Sequence, residues 1–150
     1  MFDTLAFRFA ALYRDFAACT SQKLEQMGLH FGLLFFLLYV GKHPGSSPTE
    51  LTEALGLDWG HSQRCLTKLA DGGFIAREKA GRRYRLDLTD KGREAFEASH
   101  RVFFEWDEQH MAALTPEERE TLLCLLDKLV CGRGRPGSGR PQKCKGGSTK

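Results

Sequence analysis

Residues 47–92 read SPTELTEALGLDWGHSQRCLTKLADGGFIAREKAGRRYRLDLTDKG, and this stretch decides the architecture of the 150-residue chain. After Pro48, the run Thr49 to Leu55 places Leu51, Ala54 and Leu55 on one face of a short helix, and Gly56 supplies its stop. Asp58 then offers an N-cap carboxylate to a second helix, Trp59 to Asp71. Within it Ser62, Cys65, Leu66 and Leu69 share one face, while Gln63, Arg64, Thr67 and Lys68 fall on the others. Small and apolar residues dock this helix; hydrogen-bonding and cationic ones stay outside. Gly72-Gly73 end it, Phe74 to Lys79 run on as a strand, and Ala80-Gly81-Arg82 make a turn. The return strand, Arg83 to Leu88, alternates, which directs Tyr84, Leu86 and Leu88 to the core and Arg83, Arg85 and Asp87 outward. Helix, turn, helix and charged hairpin make a mainly α winged helix-turn-helix with a small β-hairpin wing.

Such a second helix suits a DNA major groove. Arg and Lys reach guanine acceptors, Gln brackets adenine, and Thr touches a thymine methyl or a phosphate. The candidate DNA-binding residues are therefore Gln63, Arg64, Thr67 and Lys68 on the helix, with Arg77, Lys79, Arg82, Arg83 and Arg85 on the hairpin. From Trp59 to Arg93 there are nine Lys or Arg against four Asp or Glu, a local excess that can neutralise phosphates and release counterions.

The pattern resembles the multiple-antibiotic-resistance regulator (MarR) family of bacterial transcription factors. It does so through Leu51, Leu55-Gly56-Leu57, Arg64, Leu69, Gly73-Phe74-Ile75, Arg77, Arg82-Arg83 and Leu88-Thr89-Asp90-Lys91-Gly92. The resemblance covers about residues 1–131. It implies a regulator, a repressor, that binds a pseudo-palindromic operator on double-stranded DNA as a homodimer and is released or retuned by a small ligand. The chain departs from the family pattern at Gly81, where an Asp usually braces a wing arginine, and at Trp59-Gly60-His61, where small polar residues are commoner.

Outside the reading head, Phe2, Leu5, Phe9, Leu12, Phe16, Cys19 and Leu24 form an apolar seam along a first helix, which calls for a partner. Leu29 to Val40 is too short to cross a bilayer, which takes about 20 residues, and is expected as a buried helix. Thr89 caps a helix from Asp90 to about Met111, and Thr115-Pro116-Glu117-Glu118 is a capping box opening a last helix with Leu122, Leu123, Leu125, Leu126, Leu129 and Val130. The resemblance assigns the dimer to residues 1–28 and 112–131, with the winged helix at 47–92. Two recognition helices would then lie about 34 Å apart, one turn of duplex. The start Met1-Phe2-Asp3 lacks a basic leader, so a cytoplasmic, nucleoid-associated protein is expected.

Residues 132–150 are a different polymer: six glycines, two prolines and six Lys or Arg without an acid, a composition that cannot bury a core. Subtracting those charges from the overall +3 leaves residues 1–131 at −3, so positive charge is concentrated at the wing and in the tail. Arg133 and Arg135, in Gly-Arg-Gly-Arg-Pro, and Arg140 resemble minor-groove-binding segments; a solvated basic linker that binds phosphate without sequence preference is the favoured reading.

The remaining chemistry is sparse. There is no phosphate loop, nucleophile elbow or zinc-spaced cysteine pair, so neither a catalytic site nor a cofactor is expected. Cys19, Cys65, Cys124, Cys131 and Cys144 read as reduced, structural thiols, and His100 and His110 as solvated surface residues. The resemblance implies a crevice for a small anionic aromatic ligand, with Phe16, Met27, Phe31, Phe35, Phe103 and Trp106 as lining candidates, although plain core packing explains the same aromatics. Two further readings stay open: a redox- or metal-responsive regulator on this scaffold, and a winged-helix protein-interaction module in which Trp59 is exposed at the head.

Overall fold

The computed structural model describes residues 3–131. Helix α1 (Leu5–Glu25) starts where the Thr4 hydroxyl accepts the Phe7 amide at 3.2 Å. The segment expected as one buried helix from Leu29 divides instead into a single 3-10 turn, Phe31–Leu33, and helix α2, Leu34–Lys42. The late start at Phe31 has a local reason. Extended His30 accepts the Gly32 amide on Nδ1 at 3.0 Å, so it serves as a cap and cannot continue a helix back toward Leu29.

Helix α3 (Pro48–Leu55) opens on a capping box in which Ser47 and Glu50 satisfy each other's backbone amides. It stops at Gly56, whose φ of 63° is the left-handed conformation that glycine adopts at no steric cost. Helix α4 (Trp59–Asp71) follows, capped by Asp58, whose carboxylate accepts the His61 amide at 2.9 Å. Strands β1 (Ile75–Ala80) and β2 (Arg83–Leu88) form an antiparallel pair with Ile75 opposite Leu88 and Ala80 opposite Arg83. Ser46 adds a bridge to Leu86 on the far edge of β2, a pairing the sequence reading missed. Helix α5 (Asp90–His110) is capped by Thr89 and ends one residue short of its expected limit. Helix α6 (Pro116–Cys131) opens on the expected box, Thr115 with Glu118.

One hydrophobic core joins α1, α2, α3, α4, the hairpin and α5. Leu24, Leu34, Leu37, Leu51, Leu66, Leu69 and Leu86 are fully buried in it. The hairpin corrects one expectation. Tyr84 shares the face of Leu86 but stands nearer the tip, where it lines an open cleft against α3 instead of entering the core, and is 46% exposed. Helix α6 has no buried residue at all, and Leu5, Phe7, Phe9 and Leu12 of α1 are likewise uncovered. Among the described residues no helix is long and apolar enough to cross a membrane.

Candidate nucleic-acid interface

The inner face of α4 is sealed: Ser62, Cys65, Leu66 and Leu69 are buried, as their spacing requires. Arg64, Thr67 and Lys68 stand exposed on the opposite side, and Gln63 is half-buried at the margin. A Cβ at Gly60 would stand 3.1 Å from the Asp58 carboxylate, a tight contact with the cap of α4. Trp59 is 52% exposed at the corner of the head, beside Arg82 and Arg83 in a cleft of about 500 Å³ between α3 and the wing.

Strand register divides the wing cations into two sets. Arg77 and Lys79 lie opposite Leu86 and Tyr84, on the face turned toward the helices, whereas Arg83 and Arg85 lie on the other face with Glu78. Lys79, Arg82, Arg83 and Arg85 are exposed. Arg77 is half-buried: it donates to Gln63 Oε1 at 3.1 Å, with its guanidinium carbon 5.4 Å from the centre of the Tyr84 ring. Glu50 lines the cleft and is exposed. Hydrogen bonds from the Ser47 backbone and hydroxyl hold its carboxyl below the usual carboxylate range, with a smaller contribution from Arg83. Lys91 is not free for phosphate, since it donates to the Gly72 carbonyl at 2.8 Å and covers the Phe74 ring.

The aromatic candidates converge where α1, α5 and the start of α2 meet. Phe16 of α1 packs at 4.9 Å from Phe103 and 5.5 Å from Trp106, both on α5, and at 6.1 Å from Phe31, which in turn meets Phe35 at 6.3 Å. Met27 packs against the same core as Phe31 and Phe103 and lines a groove of about 470 Å³ between α1 and α5 with Lys23, Arg101 and Glu105. The sequence reading missed Asp15, whose carboxylate accepts Trp106 Nε1 at 2.8 Å and pairs with His110 Nε2 at 2.8 Å, tying α1 to the end of α5.

Of the two histidines expected at the surface, His110 is exposed but held by neighbours, and His100 is half-buried. His110 stacks on Trp106 at 4.0 Å, and His100 lies between Phe96 and Phe104 with Nε2 enclosed and unpartnered. Cys19, Cys65 and Cys131 are free thiols, whereas Cys124 is disulfide-bonded. Cys65 rests 3.6 Å from His61 Nε2, one helical turn before it. Among the described residues no three His, Cys, Asp or Glu side chains converge as a metal centre requires. Arg133, Arg135 and Arg140 lie outside the described residues.

Comparison with known proteins places this arrangement. A family model described as the DUF6293 C-terminal winged helix domain matches residues 62–100, which run from α4 through the wing into α5. The HTH-type transcriptional regulator BilQ of Clostridium symbiosum is 39% identical over 132 residues, covering 86% of this chain and 92% of BilQ. The crystal structure of MarR superposes with a TM-score of 0.79 at 25% identity, over 90% of this chain and 95% of that one. The chain belongs to the MarR family. A MarR family protein of Mycobacterium tuberculosis shares the fold at TM-score 0.69 and 23% identity in a complex with DNA, over 85% of this chain and 98% of that one. The same protein has also been solved with p-aminosalicylic acid, at TM-score 0.65 and 24% identity over the same shares of the two chains. This MarR-family chain is thus a transcriptional regulator of the winged-helix type and not an enzyme.

Proposed function

We propose that this regulator binds a pseudo-palindromic DNA operator as a homodimer and acts as a repressor that a small ligand releases or retunes. The observation that carries the reading is the two-sided recognition helix: Ser62, Cys65, Leu66 and Leu69 buried, Arg64, Thr67 and Lys68 exposed, and exposed Lys79, Arg82, Arg83 and Arg85 on the adjoining wing. A sealed inner face fixes the height and rotation of α4, so its outer side chains reach base edges at a defined depth. The relative solved in complex with DNA supports the use of this fold on a duplex.

The domain division follows the same reading. Residues 47–92 form the reading head, and residues 1–28 and 112–131 supply the dimer. Leu122, Leu123, Leu125, Leu129 and Val130 of α6, with Leu5, Phe9 and Leu12 of α1, are uncovered in the single chain, which is the surface such a dimer needs. The aromatic group of Phe16, Phe31, Phe35, Phe103 and Trp106 lies where α1, α2 and α5 meet. A small aromatic ligand that separates those rings would alter the spacing of the two heads and, by linkage, weaken DNA binding by its own preference for the altered state.

The test is the DNA upstream of the protein's own gene. An inverted repeat there should be bound specifically, with affinity falling steeply as salt rises. Arg64→Ala with Lys68→Ala should cut affinity for it by roughly 100-fold or more, at about 1–3 kcal/mol per base contact. Equal retention of unrelated duplexes by the wild type would rule the reading out.

A further inference from the structure

Gln63 is the recognition-helix candidate that is closed to DNA. Its Oε1 accepts from Arg77 Nη2 at 3.1 Å, and its Nε2 is enclosed with no partner. A guanidinium has only donors, so the end of the amide that faces Arg77 is the oxygen. Neither end is left for a base. Arg77 is engaged a second time: its guanidinium carbon stands 5.4 Å from the centre of the Tyr84 ring, and the strand register places both residues on one face of the wing. The location of these contacts gives them a use. The wing is a two-stranded hairpin, a structure that is marginal on its own. Ile75 and Leu86 are buried and fix its base, whereas every residue from 78 to 85 is exposed, and that tip carries Lys79, Arg82, Arg83 and Arg85. Arg77 is the last residue of β1 before the exposed stretch. Among the described residues no other side-chain hydrogen bond joins α4 to the hairpin.

Resting on the operator reading above, we propose that Gln63, Arg77 and Tyr84 form a strut that sets the wing against the recognition helix, so that Gln63 and Arg77 act on DNA by positioning Arg82 and Arg83. A head of this kind engages a duplex at two places, with α4 against base edges and the wing against phosphates. A wing free to swing about its base must be ordered when DNA arrives, and that ordering weakens binding. The strut orders it beforehand. Tyr84 adjoins Arg83 in the chain, so a ring held against Arg77 fixes the rotation of the backbone that carries Arg82 and Arg83. This also gives Tyr84 a role at the hairpin tip, where it is exposed and core packing does not account for it. The enclosed Nε2 separates this role from folding. A buried donor without an acceptor costs stability, so an apolar side chain of similar length at residue 63 removes that cost while it removes the strut. Gln63 and Arg77 are in this account positioning residues, and Tyr84 supports them.

The experiment uses the duplex that the full-length wild type selects from a randomised library and measures affinity for it across a salt series. The variants are Gln63→Met, Tyr84→Ala, Tyr84→Phe, the wing pair Arg82→Ala with Arg83→Ala, and Gln63→Met combined with that pair. Gln63→Met should bind about tenfold more weakly, with a salt dependence shallower by about one to two phosphate contacts, although it removes no charge. The base preferences it selects should match those of wild type at every position, and its melting temperature should not fall. Tyr84→Ala should behave as Gln63→Met does, and Tyr84→Phe, which keeps the ring, as wild type. Adding Gln63→Met to the wing pair should weaken binding little further, because the contacts it sets are already gone. Tyr84 is exposed, so its two variants carry the test even where Gln63→Met proves unstable. Wild-type affinity and salt slope in Gln63→Met and Tyr84→Ala, a loss fully additive with that of the wing pair, or a base preference that vanishes in Gln63→Met overturns this inference and leaves operator binding standing. Equal retention of all sequences by the wild type overturns both.

Discussion

Gly92 has a role that its neighbours in the chain do not disclose. It sits in the first turn of α5, and a methyl group there would overlap the carbonyl oxygen of Phe74, where the chain leaves α4 for the wing. Thr89 occupies the same junction, donating to the Gly73 carbonyl at 2.5 Å while accepting the Gly92 amide at 3.0 Å. Gly92→Ala should therefore destabilise the protein by about 1–3 kcal/mol in denaturant titration, the usual cost of overpacking. The motif containing Gly92 was visible in the sequence, but the carbonyl that forbids a side chain was not, because Phe74 is distant along the chain. Glu50 supports a prediction of another kind. Its carboxyl is lowered in the folded state by its bonds to Ser47, so its contribution is present above the ordinary carboxylate range and lost as pH falls through the lowered value. The melting temperature of Glu50→Gln should lie below wild type at neutral pH and converge with it in acid.

At the level of elements, amphipathic spacing was a reliable guide wherever one face meets the core. The faces of α4 appear as the sequence placed them, and so do the boundaries of α3 and α5 to within a residue. Capping signals were equally legible, since they act over three residues: Thr115 with Glu118 opens α6 as read. Thr115→Ala should lower the stability of that helix by about 1 kcal/mol, seen as faster amide exchange in its first turn. Periodicity failed where a local side chain competed. His30 and Gly32 interrupt the apolar run from Leu29 to Val40 in the sequence, and their bond delays the helical segment to Phe31. The wing failed differently. Alternation correctly paired Tyr84 with Leu86 on one face, but how far the core extends along that face depends on the helices beneath it, so Tyr84 came out exposed.

For the whole molecule the uncovered leucines of α6 set the expectation. Leu125→Glu with Leu129→Glu alters residues about half exposed in the single chain, so it should leave the core intact while converting a dimer to monomer in analytical ultracentrifugation. Affinity for a two-half-site duplex should fall steeply, because each head then binds alone. If the variant sediments as wild type does, α6 is not the dimer surface. The sequence by itself determined the winged helix-turn-helix, the split of α4 into a docking face and a cationic face, and the placing of basic residues on the wing, because helical and strand periods, caps and turns are properties of neighbouring residues. Only the tertiary structure decided that Arg77 holds Gln63 across 14 residues, that Asp15 joins Trp106 and His110 across α1 and α5, and that the five aromatic rings meet. Those contacts depend on how separate elements are set against one another, and no spacing along one element encodes that distance.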